Sequence, residues 1–314
     1  MKIGYFGTPK HALDLLKELA ESEHEIVFIV TNPDKPKGRN RSPVPSEIKE
    51  YALSKNITVF QPNSLKDSDL QSQLKSIECD LHLVYAYGSI IPEEIYKIPK
   101  LGSINIHGSL LPKYRGASPV QTSILNGDSI GGLTIQFLAK EVDSGDIIIK
   151  KEFPIGINDT SGQILDKITE EGLAALLSLL EYHKEGFPSQ PQDHSLASFC
   201  KKIKPEDRII DWNKTAFEIH NQIRALNPNP YAYTDFKGKK ILILESILPS
   251  EETTELLPSE KPGTIYLPNK KSLFVFCGDK KMIAITKVHP EGKKPMSIID
   301  FINGNKPLES EKFN

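Results

Sequence analysis

Ser103-Ile-Asn-Ile-His-Gly-Ser-Leu-Leu-Pro112 reads as a short strand that ends in a polar cluster and then turns. Asn105 and His107 stand two residues apart, and in a strand that spacing points both side chains to one face. An amide and an imidazole aimed together from a strand end can grip and polarise one carbonyl oxygen. A core strand normally places apolar residues there, so the pair breaks a local rule in a way that active sites do. The alternative reading is a histidine that caps its own sheet edge.

Outward from this strand, toward residue 1, apolar runs alternate with helical spacing. Residues 2–6 form a strand, and Gly7-Thr-Pro9 follows, with Thr8 suited to a helix N-cap and Pro9 to the first helical position. Ala12, Leu13, Leu15, Leu16 and Leu19 then recur at helical spacing. A strand at 25–30, a Pro-rich polar loop at 32–45, a helix at 46–54, a strand at 58–60, a helix at 67–76 and a strand at 80–85 lead back to 103–107. This alternation predicts an α/β fold: an open, mostly parallel, Rossmann-like sheet with helices on both faces.

Beyond residue 112, Ser118-Pro119 supplies cap and first-turn residues for a helix at 119–126. Two strands, 133–138 and 147–153, flank Lys140-Glu-Val-Asp-Ser-Gly-Asp146, and so short a connection predicts an antiparallel pair. A helix over 161–183 carries one stripe of Ile164, Leu165, Ile168, Leu173, Leu176 and Leu180. Residues 185–207 are rich in Pro, Gln, Ser and Lys. We therefore expect a domain at 1–188, a linker at 189–207 and a second domain at 208–314. In the second domain a helix at 214–225 stops at Asn227-Pro-Asn-Pro230. Short β-runs follow at 231–236, 241–248, 263–267, 272–276 and 282–289, and this spacing predicts a small C-terminal β-barrel of OB type.

A chain of 314 residues with 38% hydrophobic and 25% charged residues is an ordinary globular composition long enough for two domains. The net charge of −2 excludes a whole-molecule field for nucleic acid and leaves local basic patches open. Cys79, Cys200 and Cys277 are far apart and odd in number, which fits a reducing compartment and excludes a cysteine zinc cluster. No apolar run reaches membrane-spanning length. A strand already at residue 2 leaves no signal or transit peptide, so we expect a cytoplasmic protein without metal or membrane attachment, acting as a monomer.

Several motifs carry chemistry. Gly4-x-x-Gly7 lacks the G-x-G-x-x-G spacing of a dinucleotide site and reads as a tight strand-to-helix turn. Asn105 and His107 end a middle strand, where open α/β sheets bind ligands, and Ser109-Leu-Leu-Pro112 continues from that end as a shaped loop. Asp143 lies in the loop between the two later strands, where a carboxylate can fix the protonation and orientation of His107. Asp146 competes with it, and the residues alone do not choose. Lys35, Lys37, Arg39 and Arg41 punctuate the loop after the second strand, on the side of Asn105 and His107. A basic loop there favours a polyanionic partner such as RNA, the alternative being a solvated surface. Lys239-Lys240, Lys270-Lys271, Lys280-Lys281 and Lys293-Lys294 fall at expected turns of the last domain. They make a basic face if the barrel gathers them on one side, and are ordinary solubilising turns otherwise.

These residues resemble the methionyl-tRNA formyltransferase family along nearly the whole chain. The resemblance is carried by Phe6-Gly-Thr-Pro9, Thr31-Asn-Pro-Asp34, Phe60-Gln-Pro62, Ala86-Tyr-Gly88, Ile104-Asn-Ile-His-Gly-Ser-Leu-Leu-Pro112, Tyr114-Arg-Gly-Ala117 and Asp143-Ser-Gly-Asp146. Asp211-Trp212, Ile223-Arg-Ala-Leu-Asn-Pro228 and Gly292-Lys-Lys-Pro-Met-Ser297 extend it into the last domain. Asn40 and Arg41-Ser42 stand where the family often has Gly and a Lys pair, and Tyr114 where it often has Trp.

The resemblance implies formyl transfer from 10-formyltetrahydrofolate to the α-amine of methionyl initiator tRNA. It implies catalytic roles for Asn105, His107 and Asp143. It places the folate co-substrate against Ala86, Tyr87 and Gly88 and against Ser109, Leu110, Leu111 and Pro112. It makes Lys35, Lys37, Arg39 and Arg41 tRNA contacts and the last domain an RNA-binding barrel. The residue types suit that reaction. A neutral amine attacks the formyl carbon, and Asn105 and protonated His107 donate to the oxygen on which charge grows. Each such donor contributes about 3 kcal/mol. Asp143 relays the proton that the attacking nitrogen loses and the folate nitrogen gains. Neither a covalent intermediate nor a metal is needed. Formyl transfer to a small amine such as glycinamide ribonucleotide or a sugar nucleotide, hydrolysis of the formyl donor, and a non-catalytic RNA-binding role are the competing readings.

Overall fold

The computed structural model describes residues 1–36, 43–183, 185–250, 260–308 and 311–314. They form two compact units. The first comprises Met1–Pro119, Gly131–Phe153 and Leu165–Lys201, and the second comprises Val120–Ile130, Pro154–Ile164 and Lys202–Asn314. Residues 189–201, within the stretch expected to link two domains, thus cluster with the first unit.

In chain order the elements begin with β1 (Lys2–Gly7), α1 (Lys10–Ala20), β2 (Glu25–Val30), β3 (Lys35–Pro36), β4 (Pro43–Val44), α2 (Glu47–Ser54) and β5 (Thr58–Phe60). There follow α3 (Ser68–Ser76), β6 (Leu81–Tyr85), α4 (Glu93–Tyr96), β7 (Ser103–His107), β8 (Arg115–Gly116), α5 (Pro119–Leu125), β9 (Ile130–Phe137), β10 (Ile147–Pro154) and α6 (Ser161–Tyr182). A seven-stranded sheet runs β10-β9-β7-β6-β1-β2-β5. Its members from β5 to β7 are parallel, and β9 is antiparallel to β7. All five residues of β6 are buried, as both faces of a covered parallel sheet require. Order in the sheet reverses at β1, so the loops after β1 and β6 leave in opposite directions and open a crevice at the carboxyl edge.

The stripe of α1 buries Ala12, Leu13, Leu15, Leu16 and Leu19. Its cap differs from expectation. Pro9, extended at ψ 173, occupies the N-cap position, and no side chain caps the helix. Thr8 is displaced by one residue, and its hydroxyl accepts from Asn32 N at 3.3 Å instead, tying the turn after β1 to the loop after β2.

A short parallel pair, β8 with β11 (Phe199–Cys200), completes the first unit. In the second unit α7 (Ala216–Ala225) is capped by a Thr215–Glu218 box. A six-stranded antiparallel sheet follows: β12 (Ala232–Phe236), β13 (Lys239–Ile247), β14 (Ile265–Asn269), β15 (Ser272–Phe276), β16 (Met282–Pro290) and β17 (Met296–Ser297). Its main path is β12-β13-β16-β15-β14, with β17 on β16. The helix α8 (Ile298–Asn305) was not expected from sequence. Trp212, Phe236, Phe301 and Phe313 build the core with Ile243, Ile265 and Ile285. Residues 311–314 bond to both edges of the sheet. Ile265 N donates to Glu311 O at 2.8 Å, and Asn314 exchanges two 2.9 Å bonds with Asp235 of β12.

The lysine pairs do not share one side. Glu291 N donates to Lys240 O, so Lys239-Lys240 and Lys293-Lys294 meet at one end of β16. Lys280-Lys281 enter β16 at the opposite end, beside Met282 and its partner Phe276. Antiparallel pairing sends successive turns to alternate ends, so Lys270-Lys271, at the β14–β15 turn, fall at the end of Lys239-Lys240 and Lys293-Lys294, and Lys280-Lys281 stand apart.

Candidate active site

Asn105 and His107 leave the carboxyl end of β7 together, as their spacing requires. Across the sheet Asn105 pairs with Gln136 and His107 with Thr134 of β9. Thr134 shapes the turn that follows: its hydroxyl donates to Ser109 O at 2.7 Å and accepts from Leu111 N at 3.1 Å. The Leu111–Pro112 peptide is cis.

Both nitrogens of His107 are placed. Nε2 lies 2.9 Å from the carbonyl oxygen of Tyr114, and because a carbonyl only accepts, Nε2 carries a hydrogen. Nδ1 faces Asp143 Oδ2 at 3.5 Å. That carboxylate also accepts from Gly116 N at 2.8 Å through Oδ2, and from Gln136 Nε2 at 3.1 Å and Asn105 Nδ2 at 3.5 Å through Oδ1. Asp146, its competitor, is exposed and offers its backbone oxygen to Phe137 N. Geometry thus separates two aspartates that the residues alone did not.

The backbone around this cluster is strained. Ala86 (φ 52), Tyr114 (φ 60) and Asp143 (φ 52) are left-handed without being glycine. Such residues cost about 1–3 kcal/mol each and persist where the surroundings hold them. Tyr114 is held at both ends: its N–H donates to Ser198 Oγ at 2.9 Å, and its carbonyl takes His107. Gly145 is required by space, since a Cβ there would collide with the Phe137 carbonyl.

The sequence has counterparts among known proteins. The formyl transferase family matches residues 1–180, and the formyl transferase C-terminal domain matches residues 202–306. A methionyl-tRNA formyltransferase of Leptospira interrogans is 46% identical over 317 residues, covering 100% of both chains. This chain belongs to the methionyl-tRNA formyltransferase family. A relative of that name from Pelotomaculum thermopropionicum is 38% identical over 97% of this chain and 96% of its own. The solved sugar 3N-formyl transferase WlaRD shares the fold at TM-score 0.66 and 23% identity, over 93% of this chain and 98% of that one.

The residues expected to face the folate divide by exposure. Tyr87 is buried edge-on against Phe6 at 5.8 Å, and burial pushes its phenol up to about 12. Leu111 is fully buried, and the buried Ser109 hydroxyl donates to Lys113 O at 2.5 Å. Ala86, Leu110 and Pro112 are half-buried and Gly88 is exposed. Of the basic loop, Lys35 is exposed on β3, which pairs with β4, while Lys37, Arg39 and Arg41 lie outside the described residues. The root of that loop is an Asp34–Lys49 ion pair at 2.6 Å. Gln61 and Lys49 together hold the Asp34 carboxyl below its usual range.

Sequence reasoning missed Gln136, Arg115 and Gln192, all buried. The signal was present for Arg115, inside Tyr114-Arg-Gly-Ala117. Gln192 sat within the Pro- and Ser-rich stretch and carried none. Among the described residues no three His, Cys, Asp or Glu side chains gather as a metal cage, and no helix is long and apolar enough to cross a membrane.

Proposed function

We propose that this chain transfers the formyl group of 10-formyltetrahydrofolate to the α-amine of methionyl initiator tRNA. The observation that carries the reading is the convergence of Asn105, His107 and Asp143 at the carboxyl edge of the sheet, in a chain whose full-length relatives bear the name of that activity. His107 Nε2 stays committed to Tyr114 O, so Nδ1 is the working nitrogen. Protonated at Nδ1, His107 joins Asn105 Nδ2 in donating to the formyl oxygen as the amine adds to the formyl carbon. The proton lost by the attacking nitrogen passes by way of Asp143 and His107 to the departing folate nitrogen. The folate lies against residues 86–88 and 109–112.

Catalysis belongs to residues 1–188 in this reading, and tRNA recognition to the basic loop and to an OB-type barrel in 208–314. Lys35, Lys37, Arg39 and Arg41 contact the tRNA backbone. On the second unit Tyr233 lies under Lys240 at 4.1 Å and beside Arg208 at 5.5 Å, a stacking surface edged with charge that suits single-stranded RNA. The protein works in the cytoplasm as a monomer. The test is to incubate it with labelled formyl donor and charged initiator tRNA. Label on the methionine amine is expected, and its absence overturns the reading.

A further inference from the structure

Arg115, Gln192 and Gln136 form a buried chain that ends on the Asp143 carboxylate, with exposures of 3%, 5% and 2%. Arg115 Nε and Nη2 lie 3.1 and 2.6 Å from Gln192 Oε1, and Nη2 lies 3.1 Å from His194 Nδ1. Gln192 Nε2 lies 3.0 Å from Gln136 Oε1, 2.9 Å from Asp143 O and 2.7 Å from Gly145 O. Gln136 Nε2 lies 3.1 Å from Asp143 Oδ1.

The direction of every bond in the chain is set by groups with no choice. A guanidinium only donates, so the Gln192 oxygen must face it. Two backbone carbonyls only accept, so the Gln192 NH2 must face them and, with them, Gln136 Oε1. The Gln136 NH2 is then left for Asp143. An amide that is free to flip would present oxygen to the carboxylate half the time, and that arrangement is repulsive. The same Gln192 NH2 holds the carbonyls on either side of Ser144 and so holds the left-handed turn from which Asp143 projects.

We propose that Arg115, Gln192 and Gln136 are positioning residues of formyl transfer, a one-way hydrogen-bond relay that sets where the Asp143 carboxylate sits and which donors it meets. The inference rests on the catalytic reading of Asp143 above. It also gives residues 189–201 a part in the reaction: Gln192 reaches partners 77, 56 and 49 positions away in sequence.

Gln192→Met and Gln136→Met each remove one link and keep side-chain length. Each is expected to lower kcat about 10²-fold, the cost of a 1 Å misplacement, with KM for the formyl donor nearly unchanged. Because the links act in series, the double variant should fall no further than the worse single one, whereas independent packing losses would multiply. Folded single variants with wild-type kcat, or multiplying effects, overturn the relay. If the wild-type protein shows no formyl transfer, the functional reading has failed instead. If the variants do not fold, hydrogen exchange of the Gln136 and Gln192 side-chain amides in the intact protein decides. Protected protons support the relay, and exchange as fast as an exposed glutamine overturns it.

Discussion

The His107 imidazole is anchored through Nε2 to the carbonyl oxygen of Tyr114 at 2.9 Å, and this leaves Nδ1 as the nitrogen that faces Asp143. The anchor is itself a strained residue, so the face that the histidine turns to Asp143 is chosen by the backbone of a loop 7 residues downstream.

That choice separates two conservative replacements. Asparagine at 107 retains an amide near the Nδ1 position, and glutamine retains one near Nε2. His107→Ala is expected to lower kcat by about 10²–10³-fold or more while leaving the Kd for tRNA unchanged. His107→Asn should retain more turnover than His107→Gln. Equal activity of the two would show that the nitrogen assignment is wrong.

Gly145→Ala tests the loop that carries Asp143. The new methyl group meets the Phe137 carbonyl, and the loop must move although Gln192 holds it at two oxygens. A shift on the order of 1 Å corresponds to about 10²-fold in kcat. Steady-state turnover, with circular dichroism to confirm folding, reads the effect.

His82 makes stability depend on acid. Its ring packs against Phe6 at 5.1 Å and Phe28 at 5.6 Å, and burial lowers it to about 3. The unfolded chain binds that proton near pH 6.5 and the folded chain does not. Stability therefore falls as pH drops below 6.5, by up to about 1.4 kcal/mol per unit until the folded group titrates. Urea unfolding at pH 7 and pH 5 should show wild type losing up to about 2 kcal/mol more than His82→Leu. His11 and His220, also lowered by burial, contribute in the same direction and keep some acid sensitivity in the variant.

Arg224 holds the second unit together from within α7. Its Nη1 donates to Gly156 O at 3.2 Å and Asp159 O at 3.0 Å, and Nε donates to Asn221 Oδ1 at 2.9 Å. Arg224→Met leaves buried acceptors without a donor and should cost about 2–4 kcal/mol. A lowered urea midpoint reads the loss, and an unchanged midpoint would mean that water replaces the guanidinium.

The alternation of apolar strands and amphipathic helices up to residue 107 was legible because each element declares its own period. Val30, Leu83 and Ile104 sit in short apolar strands bounded by polar or turn residues. The two-residue strands were not legible, because Arg115–Gly116 pairs with Phe199–Cys200 only after the chain has folded. The helix Ile298–Asn305 was hidden for a related reason: its Ile298, Phe301 and Ile302 form too short a stripe to stand out beside a turn. At the site, Asn105 and His107 announced themselves through two-residue spacing. Gln192 did not, because a buried glutamine is recognised by its partners and those are remote in sequence.

The two units share the chain in alternation, changing over after residues 119, 130, 153, 164 and 201. A gene shortened to end near residue 201 would keep every residue of the first unit. It would also keep segments 120–130 and 154–164, stripped of the Arg224 and Asn227 that bind Gly156, Asp159 and Gly162. Interleaving of this kind makes the second unit hard to lose by truncation. A lineage that dispensed with it would first have to rewrite two stretches inside the other half of its own sequence.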